Sequence, residues 1–237
     1  MSQLLTALGS AALGATTTFA LTTPYLYRLR SRLRAVRHDA THDPLTGVPN
    51  RRGLAEAFAQ SQVDGQTASV IVCDLDGFGL INKELGHDTG DALLVQVAQR
   101  LAAVGPPIMT VARLGGDEFA LLVNAHIKRM SLIDTQTGPV WIRTDDADGV
   151  ALTAARAAWN ALAGRRFDLA GDQVPISASF GVAVARPGDT LRHLMRRADL
   201  AMIAAKNSGA TVHLAPPTTE PVLERPALRD RDARHEP

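Results

Sequence analysis

Three acidic side chains carry the strongest chemical signal in the sequence. Asp74 stands near the end of an apolar run, residues 68–75, and is followed two positions later by Asp76. Asp117 and Glu118 follow a Gly115-Gly116 pair set between two further apolar runs, 108–114 and 118–123. Neighbouring strands lie about 5 Å apart, so acids at the end of one strand and on the turn of its partner can converge on a single hard cation. Taken singly, each element has a plainer reading, as a strand-end acid or as ordinary Gly-Asp turn chemistry. Their occurrence together favours the metal reading. After Asp76, Gly77-Phe78-Gly79-Leu80 forms a strand-to-helix junction whose backbone N–H groups suit phosphate, although a simple tight turn accounts for it as well.

The elements that must position these groups can be traced from the hydrophobic pattern. Residues 68–75, rich in Val and Ile, read as a strand, and 108–114 with 118–123 read as a β-hairpin with Gly115-Gly116-Asp117 at its tip. Helical patterns cover residues 51–62, 79–85, 91–103, 150–163 and 191–208, the stripe of the third formed by Leu94, Val97, Ala98 and Leu101. Strands are expected at 175–184 and 211–214, and residues 124–148 read as a less regular connection. Asp145, Asp146 and Asp148 within it read as a solvated loop and helix N-cap in preference to a metal loop.

Composition narrows the classes further. With 25 basic against 24 acidic residues in 237, no global positive field draws the chain to nucleic acid. The single Cys73 rules out an internal disulfide and, inside an apolar run, reads as a small buried side chain. No charged residue occurs between Met1 and Tyr27, and the run 4–27 is long enough to cross a bilayer core, which takes about 20 residues. Arg28, Arg30, Arg32, Arg34 and Arg37 follow it, so the positive-inside rule places the remainder in the cytoplasm, and basic residues after the run argue against a cleaved signal peptide. Leu26, Leu29, Leu33, Val36 and Ala40 alternate spacings of three and four, the seam of a parallel coiled coil; a lone juxtamembrane helix whose arginines meet anionic headgroups fits equally. The expected organisation is a transmembrane anchor over 1–27, a basic linker helix over 28–42, a catalytic domain over 43–215 and a disordered tail over 216–237.

Arg113-Leu114-Gly115-Gly116-Asp117-Glu118-Phe119 resembles the signature of the GGDEF domains, the diguanylate cyclases. The resemblance extends to Asp43-Pro44-Leu45-Thr46-Gly47 through Asn50-Arg51-Arg52, to Asp74-Leu75-Asp76-Gly77-Phe78, to Asn82 with Gly86-His87 and Gly90-Asp91, to residues 177–183, and to Ala198-Asp199 through Lys206. It implies an α+β fold like the palm of adenylyl cyclases, a central and mostly antiparallel sheet flanked by helices, here preceded by a single transmembrane helix. It also implies that two GTP molecules condense into cyclic di-GMP across a homodimer, each 3′-hydroxyl attacking the other α-phosphate with Mg²⁺ or Mn²⁺. By motif position, Asp74, the Leu75 carbonyl, Asp117 and Glu118 would hold the metal, with Asp117 and Glu118 catalytic. Asn82 and Asp91 would read guanine, since a carboxylate accepts from N1–H and the exocyclic amine. Leu94 would lie under the base or in the core. Phe78, Gly79, Gly115, Gly116 and Lys206 would line the nucleotide, while His87 is expected to be structural and Arg113 to brace the hairpin or approach phosphate.

The departures bear on activity more than on fold. Gly79, Lys83 and Ala210 stand where the family usually carries a lysine, an acid and an arginine, which lowers the positive charge facing phosphate. The arginine and aspartate of the usual product-inhibition motif are replaced by Pro106 and Met109, so feedback at that site is not expected. A second reading, a domain without turnover that binds GTP or cyclic di-GMP or docks a partner, is opposed by the complete acid set. A phosphodiesterase is opposed by the lack of a Glu-Ala-Leu motif.

Overall fold

The computed structural model describes residues 27–64, 68–124, 147–169, 171–186 and 188–216, and the backbone of 132–135 and 138–141. The expected anchor over 1–27 lies, except for Tyr27, outside the described residues, as does the tail beyond Pro216; no helix among the described residues is long and apolar enough to cross a membrane.

Helix α1, residues 27–41, leads into the domain. The order after it is α2 (Arg51–Val63), β1 (Ala68–Asp76), α3 (Phe78–Leu85), α4 (His87–Ala102), β2 (Ile108–Gly115), β3 (Glu118–Asn124), β4 (Leu132–Thr135), β5 (Gly138–Trp141), α5 (Ala147–Ala163), β6 (Phe167–Leu169), β7 (Asp172–Val174), β8 (Ser177–Ala183), α6 (Leu191–Ser208) and β9 (Val212–Leu214). Five strands form the main sheet in the order β2-β3-β1-β8-β9, antiparallel throughout except for the parallel β8–β9 pair. This is the α+β, mostly antiparallel architecture expected.

Alternation along β1 divides the core. Ile71, Cys73 and Leu75 point to the face covered by α4 and α5, while Val70 and Val72 point to the face covered by α2 and α6. By the same period Asp74 and Asp76 lie on the α2/α6 face, as does Glu118, which shares its parity on β3 with Ala120 and Leu122. Burial pushes the Cys73 thiol far up, so it is an inert core side chain.

Three expectations need correction. The connection 124–148 contains a small two-stranded antiparallel unit, β4–β5, with Leu132 opposite Trp141 and Thr135 opposite Gly138. Asp145 and Asp146 lie outside the described residues, whereas Asp148 occupies the first turn of α5 as an N-terminal acid. Strands β6 and β7 form a second hairpin that hydrophobic pattern did not mark, three residues each being too short for a periodic signal. Helix α4 begins a turn earlier than its apolar stripe, at His87, because polar residues of a first turn add no signal to that stripe.

Candidate active site

The register of β1 with β3 places Asp74 directly across from Glu118. Side chains so opposed have Cβ atoms about 5 Å apart. That register ends at this pair, while the pairing of β1 with β8 continues through Leu75 and Asp76, leaving the β1 end beside the hairpin tip. Gly115 (φ 144°) and Gly116 (φ 53°) make the reversal, and a Cβ at either would meet no atom within 4 Å, so the tip lies open to a large ligand.

A clamp fixes this tip. Arg113 donates from Nε and Nη2 to the Gly116 carbonyl at 3.0 and 2.8 Å, and from Nη1 to both carboxylate oxygens of Asp43 at 3.0 and 3.2 Å. Asp43 is itself held by the backbone N–H and the hydroxyl of Thr46, and the Arg113 N–H donates to the Pro49 carbonyl. Burial alone would raise the Asp43 carboxyl, but the bonds from Thr46 and Arg113 outweigh it and hold it below the usual range. Arg113 therefore braces the hairpin, which settles the choice left open by the sequence. The motif at residues 43–52 matched the family, yet nothing in its spacing disclosed that it ties down a turn seventy positions later.

The acids stand in mutual tension. Partial burial raises the Asp117 carboxyl, and the nearby Asp74 raises it further. Burial likewise raises Glu118, joined by the charges of Asp199 and Asp74 and opposed by Arg51. Asp199, on α6, is raised by burial and countered by Arg51; the sequence had assigned it no role. Lys206, in the last turn of α6, donates from Nζ to Asp74 Oδ1 at 2.5 Å. Among the described residues no three His, Cys, Asp or Glu side chains already stand close enough together to ligate an ion.

The residues nevertheless fit a divalent cation. Asp74, Asp117 and Glu118 are hard oxygen donors, the nearby Asp74 charge adding to what burial does in raising Asp117 and Glu118, and the Lys206 ammonium against Asp74 stands in for a cation there. Leu75 is 2% exposed with its side chain in the core, so any part it has at an ion falls to its backbone carbonyl and not to its side chain. Linkage sets the pH dependence. A carboxyl raised in the folded state contributes stability below its unfolded value and loses it as pH rises through the raised one. Asp117→Asn is therefore expected to melt about 1–3 °C above the wild type at neutral pH without metal, and level with it near pH 4, by scanning calorimetry. Excess Mg²⁺ should narrow the neutral-pH gap.

A cleft of about 350 Å³ adjoins the acids, with Asp76, Gly77, Ser177, Ser179, Lys206 and Ala210 in its wall. Ser177 and Ser179 donate to Asp76 at 2.8 and 2.9 Å, which keeps that carboxylate turned to the β8 side and away from the hairpin. Phe78 begins α3 and packs partly into the core, while Gly79 is exposed on α3 with open space around it.

Asn82 and Asp91 lie on the packed pair α3 and α4, Asp91 exposed and Asn82 half-buried. A Cβ at Gly90 would stand on Asn82 Oδ1 and close to the Phe78 ring, so Gly90 leaves the room that Asn82 occupies. Gly90→Ala is expected to turn the flexible Asn82 amide aside at little cost in stability, since the gain in helix propensity is about 1 kcal/mol. GTP affinity by calorimetric titration should fall roughly tenfold, the loss of one good hydrogen-bonding group. Leu94, expected under the base or in the core, is 1% exposed and packs with Leu93, Val97 and Ala98 in the core. His87 is exposed at the first residue of α4, and Lys83 is exposed on α3.

Comparison with known proteins agrees with this architecture. Residues 40–135 match the family model described as diguanylate cyclase, GGDEF domain. MucR of Pseudomonas aeruginosa, a bifunctional diguanylate cyclase and cyclic di-GMP phosphodiesterase, is 38% identical over 176 residues, covering 72% of this chain and 22% of the relative. The coiled coil and GGDEF domain of DgcB from Caulobacter crescentus, solved with c-di-GMP, superposes with a TM-score of 0.63 at 30% identity, covering 84% of this chain and 98% of that one. SiaD of Pseudomonas aeruginosa, a diguanylate cyclase solved with its activator SiaC, gives a TM-score of 0.65 at 26% identity over 90% of this chain and 76% of that one. The chain belongs to the GGDEF domain family of diguanylate cyclases. It spans only 19% to 25% of the length of the first curated relatives it matches.

Proposed function

We propose that this protein is a diguanylate cyclase that condenses two GTP into one cyclic di-GMP and two pyrophosphates. The observation that carries the reading is the placement of Asp74 opposite Glu118, beside an open glycine-tipped turn bearing Asp117 and next to a cleft with Lys206 in its wall. Asp74, Asp117, Glu118 and the Leu75 carbonyl would hold Mg²⁺ or Mn²⁺. Such an ion, when bound, neutralises charge developing at the phosphate and favours the alkoxide form of an attacking hydroxyl. Lys206 would leave Asp74 for the triphosphate in the cleft. Asn82 and Asp91 would orient guanine, the carboxylate accepting from donors that adenine lacks on that edge.

Each 3′-oxygen forms a bond to the α-phosphorus of the opposite nucleotide, the bond to the β-phosphate oxygen breaks, pyrophosphate leaves, and the hydroxyl proton is released. One domain presents one nucleotide, so the reaction needs two domains face to face, as a homodimer. The uncharged run ahead of α1 and the arginines behind it support attachment to the cell membrane by a single pass, with the catalytic domain in the cytoplasm.

Incubating the full chain with GTP and Mg²⁺ or Mn²⁺ should yield cyclic di-GMP by mass spectrometry, and Asp117→Ala and Glu118→Ala should remove it. Absence of product at high protein concentration, with GTP still bound, would replace this reading by that of a nucleotide-binding module, the direction in which Gly79 and Ala210 point.

A further inference from the structure

A second cleft, of about 370 Å³, opens between α2 and the first half of α6, apart from the one that adjoins the acids. Its walls join two chemistries. Leu54, Leu191 and Met195 supply an apolar floor continuous with the core beneath, and Arg51, Arg192 and Arg196 stand exposed around it. None of these three guanidinium groups has an ion-pair partner within 4 Å among the described residues. Asp199 shares the wall, but three arginines against one carboxylate leave the cleft cationic. Such a surface suits a short segment with acids on either side of apolar residues, because planar guanidinium groups pair well with carboxylates.

The chain carries such a segment close by. Residues beyond Pro216 lie outside the described part, and within 217–224 Glu220 and Glu224 flank Pro221-Val222-Leu223 with no basic side chain. Topology sets its point of departure. Strand β8 runs from the acids to Ala183, and β9, parallel to it, ends at Leu214, with Ala215 buried in the same cluster as Ala183 and Leu194. The chain therefore leaves the domain beside the first turns of α6, which covers β8 and β9 on one side and lines the cleft against α2 on the other. Extended, residues 217–221 span about 17 Å, more than the roughly 10–12 Å width of a helix, so Val222 and Leu223 reach the cleft. Pro217 and Pro221 favour extended backbone, which lowers the cost of ordering the segment.

We propose that residues 220–224 of this chain dock in the α2/α6 cleft, Val222 and Leu223 on the apolar floor and Glu220 and Glu224 against the arginines. Arg51 also acts on the charge of Glu118, so an acid drawn to Arg51 links the C-terminal segment to the acid cluster. The seat rests on the cleft and on charge, and does not depend on turnover.

Pulsed electron–electron double resonance on the full chain tests this, with nitroxides at Ala59→Cys, exposed on α2 one turn beyond Ala55 of the cleft wall, and at Ala227→Cys, just past the segment. The native Cys73 is buried. The two labels should give one narrow distance distribution. Reversing the arginines, by Arg192→Glu with Arg196→Glu, or the acids, by Glu220→Arg with Glu224→Arg, should widen it at least about twofold, toward that of a free chain. Combining both reversals should narrow it again, a rescue that damage to the fold cannot give. Val222→Ser with Leu223→Ser should widen it too, and these changes lie outside the folded domain. A distribution as broad in the parent chain as in the variants leaves the segment free and overturns the proposal. So does a narrow one that neither reversal alters, which puts the segment elsewhere. A narrow component lost on dilution with excess unlabelled chain also overturns it, in favour of the segment of a second copy. Cyclic di-GMP is not the readout, so failure here leaves the proposed reaction standing.

Discussion

Asp74→Asn is expected to lower cyclic di-GMP formation by about three orders of magnitude, the size of losing several kcal/mol of charge stabilisation at a metal-assisted centre. The substitution keeps the shape of the side chain and removes its charge. It thereby weakens the cation site shared with Glu118, its cross-strand partner, and frees Lys206 from the carboxylate that now holds it. Asn82 and Asp91, proposed to orient guanine, lie on α3 and α4 and are untouched, so the loss should fall on kcat while GTP binding changes severalfold at most. Stability should change little, because the Asp74–Lys206 pair is partly exposed and such pairs contribute about 1 kcal/mol or less. Steady-state kinetics with product quantified by mass checks the split; equal loss in GTP affinity and turnover would place Asp74 in uniform nucleotide binding instead.

Arg113→Ala should act through position. Its guanidinium links the hairpin tip to Asp43 by four hydrogen bonds, with Arg113 13% and Asp43 18% exposed at the side chain. Removing it leaves the Gly116 carbonyl and the Asp43 carboxylate without their charged donor, at a cost on the order of 2–3 kcal/mol, below the range for a fully buried pair. Asp117 and Glu118 then lose their fixed position relative to Asp74. A misplacement of about 1 Å at a reacting centre costs roughly a hundredfold in rate. Arg113→Lys should recover little, since a point charge cannot reach Gly116 and Asp43 with one planar fork. Asp43→Ala should reproduce most of the effect, and the double variant should add little to either, as expected of partners in one network. Chemical denaturation and initial rates together test this, and full additivity would contradict the clamp.

The same residues show what the sequence could convey. Asp74 was legible because strand period and the Gly115-Gly116 turn both bear on where an acid must sit, and register then follows from alternation. Arg113 was not, because its two candidate targets, phosphate and hairpin, ask for the same charge at the same position. Only folding brings Asp43 to its side. Leu94 carried a plainer signal: its place in the helical stripe marked it as a core position, and it is buried there. Asp199 was missed because a lone acid on an amphipathic helix has no spacing that announces the Arg51 and Glu118 charges near it. The short strands β4 to β7 escaped because three or four residues cannot display a period.

Asp74 and the hairpin acids are proposed to share one divalent ion beside a bound nucleotide. Titrating Mn²⁺ into the GTP-bound full chain and following the free-ion electron paramagnetic resonance signal tests it directly. The wild type should take up Mn²⁺ saturably, with affinity weakened at least about tenfold in both Asp74→Asn and Asp117→Asn. Uptake equal to that of GTP alone, and unchanged by either substitution, would mean that these carboxylates hold no common ion.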